Sequence, residues 1–219
     1  MSANLFDQLI GLSAGVLLLT SVLLVWKRSL VAAARLLAAQ GVALASLVAV
    51  IGVFDHDRQL VAVAGLVLVL KGLVLPWVLD RSRIRTGAVR EETPLMNTTA
   101  ALLALSLLTM LAYLVSQPLR VLAPGPTTAA VPVGISLVLY GFLLLTTRRH
   151  AISQLVGFLL LDNGIAAVAF LTSGGVPFVV ELGASLDVLL VVLILRVLTS
   201  RMTVKFGGAD LDDLTDLRD

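Results

Sequence analysis

The chain has 219 residues, of which 58% are hydrophobic and 14% charged, with a formal net charge of +2 and a mean hydropathy of +1.03. That composition excludes a soluble globular domain and fits a polytopic membrane protein. The sequence pI near 9.4 arises from loop charges, with no basic cluster outside them, so no nucleic acid is expected as a partner.

A bilayer crossing needs about 20 mostly apolar residues. Seven such stretches are expected, at 5–26, 29–54, 59–80, 97–117, 129–147, 151–173 and 177–199. They make an all-α transmembrane domain over 1–206, followed by an acidic tail at 207–219. Span 1 follows "MSANLFDQ", which has no basic residue, and is followed by "WKR"; it is expected to stay as a helix and not to be cleaved as a signal. Span 2 carries Arg35 near its inner end, where a long side chain snorkels to the surface, and Gln40 deeper in. Span 3, "LVLVLKGLVLPWVLD", holds Lys71 near its middle. Pro76 cannot donate to the carbonyl of Gly72, so this helix should break beside the lysine and leave a polar backbone group there. Span 4 serves as a connector that restores parity. In span 6 Asp162 is followed by Asn163 and Gly164, and in span 7 Glu181 and Asp187 flank Gly183 and Ala184, small residues that let a neighbouring helix approach.

Basic residues fix the orientation. "KR" after span 1, "RSRIR" with Arg90 after span 3, "RRH" after span 5, and Arg201 with Lys205 after span 7 all fall on one side, which is expected to be cytoplasmic. The N-terminus is then outside and the C-terminus inside, in the inner membrane of the cell, with lipid around the chain. Trp26 and Trp77 lie near inner ends and read as interfacial anchors.

Cysteine is absent, and the two histidines, His56 and His150, fall at opposite surfaces, so neither a thiolate cluster nor paired axial haem ligands can be built. No Gly-rich phosphate loop precedes a helix, and no Ser/His/Asp set shares one depth. The chain is expected not to be an enzyme by itself and to hold no cofactor or metal.

An ionisable residue at the centre of a spanning helix costs about 2.5–3.5 kcal/mol on insertion scales, so those inside the spans need a reason. Helical rise places Lys71, Asp162 and Asp187 near the midplane, with Glu181 about 9 Å nearer the outer face. One reading is a structural clamp between helices; the other is a proton or ion path, for which charges at a common depth are the expected hardware. A weak internal repeat runs alongside: "LLAAQGVALASL" (36–47) is in step with "LLLDNGIAAVAF" (159–170), setting Gln40 against Asn163 and Gly41 against Gly164. Spans 1–3 and 5–7 would then be two three-helix units in the same orientation. The tail "GGADLDDLTDLRD" spaces Leu211, Leu214 and Leu217 three apart, and is either a solvated tail or a short segment that docks on a cytoplasmic subunit.

The stretch 148–198, with "VGFLLLDNG" and "VELGASLDVL", and the "LKGLVLPW" element of span 3 resemble the hydrogenase-4 component E family. The resemblance covers essentially the whole chain, and the last three helices are similar to the K subunit of respiratory complex I and the C subunit of multisubunit cation/proton antiporters. It implies a membrane subunit of a complex I-related oxidoreductase such as a group 4 hydrogenase. The partners it implies are antiporter-like and other membrane-arm subunits, and cytoplasmic nickel–iron and iron–sulfur redox subunits. Lys71, Asp162, Asp187 and Glu181 would contribute to a lateral proton or sodium path, with Arg35, Gln40, Pro76 and Asn163 in support. The chain departs from the K-subunit pattern where a glutamate follows the helix glycine by two residues. Here Gly157-Phe158-Leu159 has leucine, and the acid stands at Asp162; Glu181 and Asp187 bracket the place of a second glutamate. A stand-alone secondary transporter, with broken helices around a midplane cavity, and a purely structural scaffold remain the competing classes.

Overall fold

The computed structural model describes residues 3–27, 29–77, 79, 96–148 and 151–173, all within one compact unit, Met1–Ala184. The expected seventh span at 177–199, with Glu181 and Asp187, and the tail at 207–219 lie outside the described residues. The described elements are helical: α1 (Ala3–Trp26), α2 (Leu30–Phe54), α3 (Arg58–Val67) running into a π-helical segment (Leu68–Val74), α4 (Thr98–Val115), α5 (Gln117–Leu122), α6 (Pro126–Thr147) and α7 (Ala151–Ser173). Six stretches among them are long and apolar enough to cross a membrane: Asn4–Trp26, Leu30–Phe54, Arg58–Trp77, Thr98–Leu122, Pro126–Thr147 and Ser153–Ser173.

Side chains set most of the boundaries. Ser29 accepts from the amide of Ala32 at the start of α2, Asp57 from those of Gln59 and Leu60 at the start of α3, and Asn97 from that of Ala100 at the start of α4, each satisfying an amide that the first helical turn leaves unpaired. His56, at φ 57°, makes the sharp left-handed corner between α2 and α3. Two boundaries differ from the sequence expectation. The fourth span does not stop near 117: after a turn at Ser116 the chain resumes as α5 and runs to Leu122. The next span starts at Pro126 and not at 129. In both places a proline occupies the first turn, where its missing N–H is no loss and its fixed φ suits the helix.

Packing places α2 and α6 at the centre. α2 touches α1, α3, the π-helical segment and α7, while α6 touches α1, α4 and α7. The α6–α7 hairpin is the tightest pair: a Cβ built on Gly141 would lie 2.6 Å from the Leu161 nitrogen, and one on Gly164 would lie 2.5 Å from the Val138 nitrogen. Only glycine permits that approach, which is how transmembrane helices gain contact without a hydrophobic drive between them. On the outside, α4 keeps Leu103, Leu107, Met110 and Val115 exposed, an apolar face suited to lipid or to another apolar helix.

Candidate functional site: a buried charge pair in the middle of the bundle

The Lys71 Nζ lies 2.5 Å from Asp162 Oδ2, with the two side chains 2% and 5% exposed. Lys71 is about 20 Å along its span from the start of α3, and Asp162 about 16 Å from the start of α7, so both sit well inside the apolar layer. Either charge alone would be expensive there; paired, they form a neutral unit with a charge-assisted hydrogen bond.

The backbone that carries Lys71 is π-helical, with the amide of Leu75 bonded to the carbonyl of Leu70 five residues back. The break that Pro76 predicts therefore takes the form of a widened turn immediately before the proline, which is itself buried. π-helical turns inside α-helices are frequent at functional sites. The opposite wall is α2 at Gly41, where a Cβ would come within 2.4 Å of the Lys71 carbonyl oxygen and the Gly72 nitrogen. Glycine at 41 thus sets how close α2 lies to the lysine-bearing turn.

One residue on from Asp162, a polar thread crosses the bundle. Asn163 Nδ2 donates to Gln40 Oε1 at 3.2 Å, Gln40 Nε2 donates to Ser21 Oγ at 2.7 Å, and Ser21 Oγ donates to the Leu17 carbonyl at 2.6 Å. Gln40 and Ser21 are fully buried and Asn163 is 3% exposed. A buried amide without partners is costly, so this thread fixes the rotation of α7 against α2 and α1. That rotation holds the neighbouring Asp162 toward Lys71.

The structure thus joins Lys71 to Asp162 directly, sets Gln40 and Asn163 beside them and puts Pro76 at the end of the widened turn. Arg35 does not join the cluster: it is exposed on α2, as a snorkelling side chain would be. Glu181 and Asp187 lie outside the described residues. Ser21 escaped the sequence reading because a serine in an apolar helix normally bonds back to its own preceding turn, and only its fit to Gln40 marks it out. Among the described residues no group of three or more His, Cys, Asp or Glu side chains could hold a metal ion. In a low-dielectric interior the energy of such a pair depends steeply on the separation of its charges.

In comparisons with known proteins, no family model matches the chain, and no solved structure matches it. The chain is 52% identical over 220 residues to the uncharacterized protein Rv0085 of Mycobacterium tuberculosis, covering 100% of both. It is 24% identical over 205 residues to the hydrogenase-4 component E of Escherichia coli K12, covering 94% of this chain and 95% of the relative, with the same figures for the hydrogenase-4 component E of Shigella flexneri.

Proposed function

We propose, from the 24% identity to hydrogenase-4 component E over 94% of the chain, that it is a protein of that family and a membrane subunit of a complex I-related, proton- or sodium-translocating oxidoreductase of the group 4 hydrogenase type. The observation that carries the ion-path reading is the Lys71–Asp162 pair at 2.5 Å, held in the apolar layer by a π-helical turn and a polar thread. Its role is to pass charge laterally. A charge on a neighbouring subunit that draws the Lys71 ammonium away from Asp162 would move one unit of charge along the layer, and the return of the lysine would reset the pair. Glu181 and Asp187 would extend the path from the following span.

In this reading the chain performs no redox chemistry and holds no cofactor. Its partners are antiporter-like membrane subunits and cytoplasmic nickel–iron and iron–sulfur subunits, and it lies in the inner membrane with the N-terminus outside and the C-terminus in the cytoplasm. Affinity purification of the full chain in mild detergent, followed by mass spectrometry, tests the assembly. Antiporter-like and redox subunits are the expected companions. A chain that purifies alone and transports a solute by itself would replace the reading with a secondary transporter.

A further inference from the structure

The third span buries two sets of residues that an unbroken α-helix would not bring to one side. From α3 into the π-helical segment the buried residues are Leu60, Ala64, Val67 and Lys71. Their spacing of four, three and four is one side of an α-helix. Carried on at that spacing, the same side would bury positions 75 and 78. Beyond Lys71 the buried residues are Gly72, Leu75, Pro76 and Leu79, of which Gly72, Pro76 and Leu79 repeat the four–three spacing one residue late.

The turn angles give the same slip. At about 100° per residue, an unbroken α-helix would place Pro76 about 160° around the axis from Leu60, and Leu79 about 100°. Both are buried, as Leu60 is. Taking one residue out of the count, about 100° of turn, brings Pro76 to about 60° and Leu79 onto the line of Leu60. Hydrogen bonds locate the extra residue. The Leu68 amide still reaches the carbonyls of Ala64 and Gly65, whereas the Leu75 amide reaches five residues back to Leu70. The added residue is therefore taken up within Leu68–Val74, at whose centre Lys71 stands. The slip also turns Gly72 toward α2, where a Cβ built on it would lie 3.8 Å from the Val42 nitrogen.

We propose that the third span carries one inserted residue and that this insertion positions Lys71 for Asp162. From the centre of the segment, Lys71 takes part of the 100° slip, and in that setting its Nζ meets Asp162 Oδ2 at 2.5 Å. The span packs by the same faces at its two ends with or without the insertion. What the insertion changes is where the lysine points. Its consequence for charge movement rests on the ion-path reading, while the positioning itself stands apart from it.

Deletion of Leu73, which is 63% exposed within the segment, takes out the inserted residue without taking out a buried side chain. The deletion is made in the parent chain and in the charge-free variant Lys71→Met/Asp162→Leu. The control is deletion of Leu12, 65% exposed on α1, which turns the buried Phe6 and Ile10 about 100° away from the core. Thermal unfolding of the full chain in one detergent is the measure. Deleting Leu73 is expected to lower the unfolding temperature of the parent, whose charges no longer meet, and to leave that of the charge-free variant nearly unchanged; deleting Leu12 should lower both. An equal drop on deleting Leu73 in the two backgrounds would reduce the segment to a structural role and overturn the proposal. No drop in either would overturn it as well, because the pair would then not depend on the insertion. In the assembled complex, the parent chain without Leu73 is expected to lose most of its coupled ion transport, as the charge-free variant does. Transport lost in the charge-free variant but kept on deleting Leu73 would overturn the inference, whereas transport kept in both would overturn the ion path and leave the unfolding result to stand for the positioning.

Discussion

Lys71 and Asp162 stabilise the bundle as a pair and burden it singly. Lys71→Met or Asp162→Leu leaves one buried charge unmatched, which is expected to lower stability by about 3–5 kcal/mol, whereas the double variant Lys71→Met/Asp162→Leu replaces a buried pair with apolar groups and should return to within about 1 kcal/mol of the parent. Thermal unfolding of the three variants in one detergent checks this; additive losses would mean that the two charges do not rely on each other. Gln40→Leu should release Asn163 and Ser21 from their shared thread, a loss of about 1–3 kcal/mol for buried polar groups left without partners. These residues were legible in the sequence to different degrees. Lys71 and Asp162 stood out because a charge in an apolar run demands a partner, and helical rise alone put them at one depth. Ser21 was not legible, because hydroxyl groups satisfy themselves locally and carry no mark of a distant partner.

The helices themselves show where local chemistry decides and where tertiary contact does. Apolar length located the first six spans, while proline at Pro118 and Pro126 moved two boundaries that hydropathy alone had placed in a loop. Pro76 announced a break, but the form of that break, a widened turn from Leu68 to Val74, depends on the packing of Gly41 against the Lys71 backbone, which no periodicity encodes. Gly141→Ala should destabilise the α6–α7 hairpin by about 1–3 kcal/mol, since the added methyl meets the backbone of Leu161. Gly11→Ala, with nothing within 4 Å of the new carbon, should be neutral or mildly stabilising. Comparable unfolding temperatures for the two variants would contradict the close approach of α6 and α7. Gly41→Ala is expected to push α2 away from the lysine-bearing turn and to weaken the Lys71–Asp162 pair without touching either charge.

At the scale of the whole molecule, two hydrogen bonds fall at the offset of the weak repeat in the sequence. Gln40 meets Asn163, and Val25 meets Arg148, both at a separation of 123 residues. Orientation in the membrane is open to direct measurement because the chain has no cysteine. A membrane-impermeant maleimide applied to intact cells is expected to label Ala123→Cys, in the exposed loop before α6, and not Lys27→Cys; the reverse pattern would invert the topology. The most direct test of a charge path through this subunit uses the assembled complex carrying Lys71→Met/Asp162→Leu, reconstituted in sealed vesicles and driven by its electron donor. A path through Lys71 and Asp162 predicts a complex that assembles and turns over electrons but loses most of its coupled ion transport. Transport at the parent rate would contradict the path and leave the pair as a clamp between the π-helical segment and α7.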